Sequence, residues 1–167
     1  GIIELSRLLA DDEARVSIGS NHIRVTGADY CFTSKLVDGS YPDYDRVVPK
    51  GGNKLVVGDR EQLKQAFGRT AILSNEKYRG VTIQLVNGAM HLAANNPEQE
   101  EAQEEVSVAY SGDSLEIGFN VSYLLDVLNV LKSKEIRFTL ADSNSSALVE
   151  DASGASKATY VVMPMRL

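Results

Sequence analysis

The chain has 167 residues, of which 43% are hydrophobic and 24% are charged, and its formal net charge is -6. This length suits one domain or one and a half, and the acidic balance argues against a nucleic-acid enzyme with a wide basic surface, although it leaves room for one basic face. The single cysteine excludes an internal disulfide, and no run approaches the roughly 18 apolar residues of a membrane span, so a cytoplasmic protein is expected.

Residues 1–44 predict a helix followed by three strands. Apolar Ile2, Leu5 and Leu8 recur at helical spacing. Cys31 lies within the third strand-like segment, where a small buried apolar residue is expected. The predicted strands are 15–18, 22–26 and 30–36.

The next stretch predicts one long helix among strands. Asp59 is suited to cap a helix that runs from Arg60 to Leu73, with acidic residues near its start. Asn87 and Gly88 form a strong two-residue hairpin signal between two strands. The predicted strands are 54–57, 80–86, 89–94 and 103–110.

The last part of the chain repeats the order of the first part. A helix predicted at 121–131 has Asn120 or Ser122 as its cap. The stretch from Arg15 to Ile18 matches that from Arg137 to Leu140, which indicates a weak internal repeat. The strands predicted after this helix are 135–140, 147–150 and 158–163.

The repeat sets the predicted domain organisation. Residues 51–167 are expected to form one complete unit of two helices and about eight strands. Residues 1–50 are expected to form the back half of another unit, together with its linker. Because the first unit is incomplete, we expect the chain to be a fragment of a longer protein.

The C-terminal run from Tyr160 to Leu167 is unusually apolar for a chain end. Pro164 cannot donate to a neighbouring strand, which favours an edge strand, and Met163 and Met165 offer adaptable contact surface. Two interpretations stay open from these residues alone. The run is either a buried final strand or an edge strand whose end lines a groove.

Few residues carry the patterns of catalysis. His22 and His91 have no Ser or Cys in a recognisable nucleophile context, and no phosphate-binding or dinucleotide glycine pattern occurs. The acidic cluster from Glu98 to Glu105 leaves three interpretations open: a solvated face, a hard-cation site, and an acidic edge or interface. A carboxylate metal-dependent enzyme and an oligomeric scaffold are therefore alternative functions.

The long helix ends in two large apolar neighbours, Ile72 and Leu73. Neighbouring residues cannot both face one core on a helix, so at least one of them is expected to be exposed. An exposed apolar pair indicates an interface.

Four segments carry a family resemblance in chain order: 74–80, 94–101, 118–123 and 160–167. Together they resemble the bacterial sliding clamps, the β subunits of DNA polymerase III, along the whole chain. The resemblance implies an α+β DNA-clamp fold of repeated units, each with two helices packed on antiparallel sheets. It also implies a DNA replication processivity factor that is not an enzyme and has no cofactor or metal. Such a ring encircles duplex DNA and tethers polymerase subunits, the clamp loader and repair polymerases through linear motifs that bind in a peptide groove.

The resemblance further implies roles for individual residues, at three surfaces of a nucleoid-associated homodimer. The peptide-binding positions are Pro42, Arg46, Val47, Asn120, Tyr123, Val161, Met163, Pro164, Met165 and Arg166. The contacts that close the ring between two protomers are Ile72, Leu73, Glu98, Glu100, Glu101 and Glu104. The residues that face DNA are Arg7, Lys64, Arg69 and Lys132. Asn144 stands near the second pocket of the groove, where an apolar residue is expected.

Overall fold

The computed structural model describes residues 1–9, 13–41 and 43–166, and its contacts divide the chain into two units, Gly1–Pro42 and Asp43–Leu167. The first unit holds α1 (Ile2–Leu8), β1 (Arg15–Ile18), β2 (His22–Thr26) and β3 (Cys31–Lys35). The second unit holds α2 (Tyr44–Val47), β4 (Lys54–Asp59), α3 (Arg60–Ile72), β5 (Gly80–Val86), β6 (Ala89–Asn95), β7 (Glu101–Ser107), β8 (Leu115–Asn120), α4 (Val121–Val130), β9 (Glu135–Leu140), β10 (Ala147–Asp151) and β11 (Thr159–Val162). The predicted repeat is confirmed, because a helix and three strands occur as α1-β1-β2-β3 and again as α4-β9-β10-β11. Among the described residues, no helix combines the length and apolar character that crossing a bilayer requires.

Sheet I, in the first unit, consists of β1, β2 and β3 in that order and is antiparallel throughout. Val25, which is 2% exposed, is a buried apolar side chain of this sheet. The prediction that Cys31 is buried is wrong, because its side chain is exposed. Side chains alternate along β3, so that Phe32 and Ser34 are partly covered while Cys31 and Lys35 face outward.

Two antiparallel four-stranded sheets form most of the second unit. Sheet II has the strand order β11-β10-β9-β4, and sheet III has the order β7-β6-β5-β8. Helix α3 packs against α4 and against β4, β5, β6 and β7, while α4 also contacts β8 and β11. The two helices and both sheets therefore share one apolar core. Its largest fully buried side chains include Phe67, Phe119, Phe138, Leu63, Leu85, Met90, Leu92, Leu124, Leu128 and Ile136.

Both long helices begin with a side-chain cap. The Oδ1 atom of Asp59 accepts a hydrogen bond from the N–H of Gln62 at 3.0 Å, and α3 begins where the sequence predicts it. The Oδ1 atom of Asn120 accepts from the N–H of Ser122 at 2.9 Å, so Asn120 rather than Ser122 is the cap of α4. Each cap satisfies an N–H that the first turn of a helix leaves without an intrahelical partner.

Arg60 joins the start of α3 to the end of α4. Its Nη1 atom donates to the carbonyl of Leu128 at 3.1 Å, and its Nε atom donates to the carbonyl of Ser133 at 3.0 Å. The backbone N–H of Arg60 also donates to the carbonyl of Lys134 at 2.8 Å. The last carbonyls of a helix need such partners, and a positive charge at that end is favourable. The side chain of Arg60 therefore has a structural role, since it holds the two helices together.

The strands of sheet III differ in part from the predicted ones. The hairpin predicted at Asn87 and Gly88 is confirmed, with Gly88 at a φ of 78° between β5 and β6. The strand predicted at 103–110 is shorter as β7, and its end joins the two sheets. Val108 and Tyr110 form backbone hydrogen bonds with Gly88 of the β5–β6 hairpin, while Ala109 forms an antiparallel bridge with Val57 of β4. Strand β8 is not among the predicted strands, although its buried and outward-facing side chains alternate.

Asp151 is a buried carboxylate at the end of β10, with 4% of its surface exposed. It accepts hydrogen bonds from the hydroxyl and the N–H of Ser153, at 2.7 and 2.8 Å, and from the N–H of Ser156 at 3.1 Å. These bonds, of which the one from the Ser153 hydroxyl has the largest effect, hold the pKa of Asp151 below its usual range. The turn that leads from β10 to β11 is thus organised around one ionised side chain.

Replacing Asp151 by Asn is expected to lower the midpoint of urea unfolding at pH 7, because a neutral amide is a weaker acceptor for these donors. The pKa of Asp151 is lower in the folded state than in the unfolded state. Its stabilising effect is therefore complete above the unfolded-state pKa of about 4 and is lost as the pH falls through the folded-state pKa. The difference between wild type and Asp151→Asn should narrow in that acid range. Asp126→Asn, at an exposed position on α4, is the control, and equal midpoints for wild type and Asp151→Asn at pH 7 would contradict the prediction.

Candidate functional site

The C-terminal segment, defined here as residues 163–166, links the two sheets of the second unit. Strand β11 is an edge strand of sheet II and ends before Pro164, as the sequence predicts. The N–H of Met165 then donates to the carbonyl of Gly118 in β8 at 2.9 Å, which forms an antiparallel bridge. Met163, between these two attachments, is 70% exposed. The segment is therefore held by its main chain and presents a methionine side chain to solvent.

Helix α4 begins at Val121, three residues after Gly118, the position of β8 that bridges to the C-terminal segment. Asn120 uses its side chain twice here, because its Nδ2 atom donates to the carbonyl of Tyr78 at 3.2 Å while its Oδ1 atom caps α4. Tyr123 is 59% exposed on the same turn. Val161 is half-buried within β11. Of these three predicted peptide contacts, Tyr123 has the most surface to offer a ligand, and Asn120 already serves the fold.

Two surface depressions adjoin the C-terminal segment, and Met165 and Arg166 line both of them. The larger, of about 470 Å³, is further lined by Asn75, Tyr78, Gly80, Thr82, Asn95, Asn96 and Pro97. The smaller, of about 350 Å³, is further lined by Thr82, Glu116, Ile117, Gly118, Ser143 and Asn144. Asn144 therefore gives the smaller depression a polar wall. Among the residues that line the larger depression, only Met165 and Arg166 are predicted site residues. The asparagines of segments 74–80 and 94–101 are the sequence signal that could have indicated the others.

The predicted contacts on the linker side lie in and beside α2. Arg46 forms an ion pair with Asp43, with 3.3 Å between Nε and Oδ2. Val47 is 43% exposed. The backbone hydrogen bonds of this short helix run from the N–H of Arg46 to Asp43 and from the N–H of Val48 to Tyr44. Pro42 lies outside the described residues.

The predicted ring contact begins at the end of α3. Ile72 is 75% exposed and Leu73 is half-buried, so the prediction that at least one of the pair is exposed is confirmed. Strand β7, an edge strand of sheet III, packs on α3 and carries two of the four predicted acidic contacts, with the other two in the turn before it. Glu98, Glu100 and Glu101 are exposed. An exposed apolar side chain thus ends α3, and a row of carboxylates lies on and just before the strand that packs on this helix.

Arg69 and Glu104 bind each other through two hydrogen bonds. The Nε and Nη2 atoms of Arg69 donate to Oε1 and Oε2 of Glu104 at 2.6 and 2.9 Å. This contact lowers the pKa of Glu104 and raises the pKa of Arg69, chiefly through the side-chain hydrogen bond. A residue predicted at the ring contact is thus paired with one predicted to face DNA, and the charge of Arg69 is offset by its partner.

The other residues predicted to face DNA are spread over both units. Arg7, in the first unit, forms an exposed ion pair with Glu4 at 2.9 Å. In the second unit, Lys64 is half-buried on α3 and Lys132 is exposed after α4. Each of these long side chains reaches solvent at least in part, which non-specific attraction to phosphates requires.

Several carboxylates of the acidic cluster bind side chains of the protein itself. The Nδ2 atom of Asn96 donates to Glu100 at 2.7 Å, and the Nε2 atom of Gln103 donates to Glu101 at 2.7 Å. Within the part of the chain that the structure describes, no three His, Cys, Asp or Glu side chains are grouped to hold a metal ion. The alternative of a carboxylate metal-dependent enzyme has no support in this geometry.

Comparison with known proteins gives one consistent result. The beta sliding clamp of Pseudomonas putida is 64% identical to this chain over 169 residues, which cover 100% of this chain and 46% of the relative. The solved structure of the DNA polymerase III subunit beta from Pseudomonas aeruginosa is 62% identical with a TM-score of 0.85, over 100% of this chain and 46% of that chain. A sliding clamp of Pseudomonas aeruginosa bound to griselimycin is 62% identical with a TM-score of 0.81, over the same shares. The chain thus spans less than half the length of these relatives.

These similar structures confirm the predicted α+β clamp fold, with helices packed on antiparallel sheets. Two family models match in chain order. The model of the central domain of the DNA polymerase III beta subunit matches residues 1–43, and the model of its C-terminal domain matches residues 45–166. Because the second match alone covers well over half of the sequence, the chain belongs to the DNA polymerase III beta subunit family.

Proposed function

We propose that the chain is part of a sliding clamp, an accessory subunit that keeps a DNA polymerase on its template and catalyses no reaction itself. Its family and the name of its relatives support this function. The observation that carries the proposal is the C-terminal segment. Its main chain is fixed by the bridge from Met165 to Gly118, while Met163 in the segment and Tyr123 on the first turn of α4 expose apolar surface. Such a surface is suited to a short peptide with apolar anchors.

A ring explains how an acidic protein acts on DNA. A closed ring around a duplex is retained by topology, so it needs no tight binding to phosphates and tolerates a net charge of -6. A polymerase tethered to the ring has a high effective concentration at the primer end. We propose polymerase subunits, the clamp loader and repair polymerases as partners. The corresponding location is the bacterial cytoplasm, at the nucleoid.

The proposed peptide surface combines soft apolar contacts with polar groups at its margin. The thioether side chains of Met163 and Met165 adapt to differently shaped anchors, which suits a surface that binds several partners. Tyr123 and Arg166 add a ring with a hydroxyl and a guanidinium that donates hydrogen bonds to peptide carbonyls. We keep the remaining predicted positions as contacts of the same peptide. They are Pro42, Arg46, Val47, Asn120, Val161 and Pro164.

The proposed ring contact differs in chemistry from the peptide surface, because it combines one exposed aliphatic side chain with carboxylates. Ile72 supplies the apolar part, with Leu73 beside it. The four glutamates would face a basic surface of the other protomer. Arg69 holds Glu104 in place from α3, so we place Arg69 at this contact rather than on DNA. Those glutamates are Glu98, Glu100, Glu101 and Glu104.

We propose Arg7, Lys64 and Lys132 as residues that face DNA through long-range, sequence-independent attraction.

We also propose that the two clamp domains divide between residues 50 and 51, after the linker. Gly51 has a φ of 91°, which suits a turn between domains. The contacts of the chain divide earlier, between 42 and 43, so α2 and the linker go with the second unit.

The peptide surface is tested by fluorescence anisotropy of a labelled peptide of the Gln-Leu-x-Leu-Phe type. Met163→Ala and Tyr123→Ala are each expected to weaken binding about tenfold, because each removes an apolar contact of roughly 1.4 kcal/mol. Neither should lower thermal stability much, since both side chains are more than half exposed. Val130→Ala is the matched control, because Val130 is also 59% exposed but lies at the other end of α4. Equal affinities for wild type and both site variants would refute the assignment.

The ring contact makes a prediction about the isolated chain. Ile72→Asp should lower the free energy of unfolding by no more than about 1 kcal/mol, because Ile72 lies on the surface and the main cost is a negative charge at the end of α3. Phe67→Ala, five residues earlier in α3 and fully buried, should cost about 3–5 kcal/mol. Urea unfolding followed by circular dichroism measures both. A large loss of stability in Ile72→Asp would show that Ile72 packs inside the chain and is not kept for a partner.

A further inference from the structure

Arg79 has a backbone conformation that arginine rarely adopts. It precedes β5 in the loop that follows α3, and its φ is 52°. A non-glycine residue in the left-handed region persists when surrounding contacts determine its conformation. Such residues are often found where the local backbone geometry serves a binding or catalytic site.

Four hydrogen bonds hold Arg79 between two helices. Its Nη1 atom donates to the carbonyl of Ala71 in the last turn of α3 at 3.0 Å, and its N–H donates to the carbonyl of Asn75 at 2.7 Å. On the other side, the N–H of Val121 donates to the carbonyl of Arg79 at 2.8 Å. Its Nε atom donates to the hydroxyl of Ser122 at 3.5 Å. One residue therefore fastens the end of α3 to the first turn of α4.

The first turn of α4 follows shortly after Gly118, which pairs with the C-terminal segment, and it carries Asn120 at its cap and Tyr123. Asn120 caps the turn and also donates to the carbonyl of Tyr78, the residue before Arg79. Asn120 further pairs with Gly80, the residue after Arg79, in the ladder between β5 and β8. Tyr123 projects from the same turn and is exposed. The position of Tyr123 relative to the C-terminal segment thus depends on the loop that Arg79 holds.

We propose that Arg79 is a positioning residue for peptide binding, although it is not one of the proposed peptide contacts. Its guanidinium and its left-handed backbone fix the first turn of α4. Peptide binding then does not have to order Tyr123 and Asn120, which lowers the entropic cost of binding. The inference rests on the proposed function, because it concerns the same peptide surface.

The test compares peptide affinities of folded variants at a temperature well below their unfolding midpoints. Arg79→Gly and Arg79→Asn both tolerate a positive φ and both remove the guanidinium. Each is expected to weaken binding of the labelled Gln-Leu-x-Leu-Phe peptide about fivefold. Arg79→Lys, which keeps a donor that can reach Ala71 but lacks the fork, should recover part of the affinity.

Arg60→Ala is the matched control, because Arg60 joins the same two helices at their other ends. A merely structural role of Arg79 predicts that loss of either arginine lowers the unfolding midpoint and leaves the affinity of the folded protein unchanged. Our proposal requires weaker binding in the Arg79 variants only. Wild-type affinity in Arg79→Gly or Arg79→Asn, or an equal loss in Arg60→Ala, would overturn it. A folded wild-type chain that does not bind the peptide would instead refute the proposed peptide surface, and the role of Arg79 with it.

Discussion

Two backbone bridges join sheets II and III at their edges, and the candidate site depends on one of them. On β4, Val57 exchanges hydrogen bonds of 3.1 and 2.7 Å with Ala109; on β8, Gly118 accepts from Met165 at 2.9 Å. Helices α3 and α4 contact strands of both sheets, and each large side chain that they bury contributes roughly 1.5–3 kcal/mol. Bridged edges offer fewer unpaired groups to a wrong partner strand. The bridges therefore complete the sheets around the shared core and also fix the path of the C-terminal segment.

Because the C-terminal segment is attached through its main chain, its exposed side chains remain available to contact a ligand. The bridge to Gly118 uses the N–H of Met165, whose side chain is half-buried, while the side chain of Met163 lies mostly in solvent. Met163 is therefore free of the bridge that holds the segment. This freedom matters for a surface proposed to accept several peptides, because side chains that do not stabilise the core can adjust to each ligand at little cost in stability. Asn120 is the exception, since its side chain both caps α4 and holds the loop at Tyr78.

Much of this architecture follows from local sequence signals. Asp59 is recognisable as a cap because a short side-chain acceptor stands directly before a helical pattern, and the same signal narrows the cap of α4 to Asn120 or Ser122. Asn87 with Gly88 specifies the hairpin. The signals fail where a residue acts through distant neighbours. The exposure of Cys31 depends on which face of sheet I is covered, and the pairing of Arg69 with Glu104 joins positions that are 35 residues apart. Periodicity in the sequence does not indicate such long-range contacts. The prediction that Arg69 faces DNA therefore takes no account of its ion pair with Glu104.

Arg60 and Arg79 make similar contacts at opposite ends of the helix pair, but we propose a role in peptide binding for Arg79 alone. Arg60 ties the start of α3 to the end of α4, and Arg79 ties the end of α3 to the start of α4. The helices therefore run antiparallel and are fastened at both ends, where carbonyls and N–H groups lack intrahelical partners. The contacts of Arg60 end among core residues and a turn, whereas those of Arg79 end on the turn that carries Tyr123. Because the two residues make the same kind of bond, a difference between them in ligand binding must arise from what lies beyond each helix end. Beside Arg79 are Tyr78 and Gly80, which line the larger depression together with Met165 and Arg166 of the C-terminal segment.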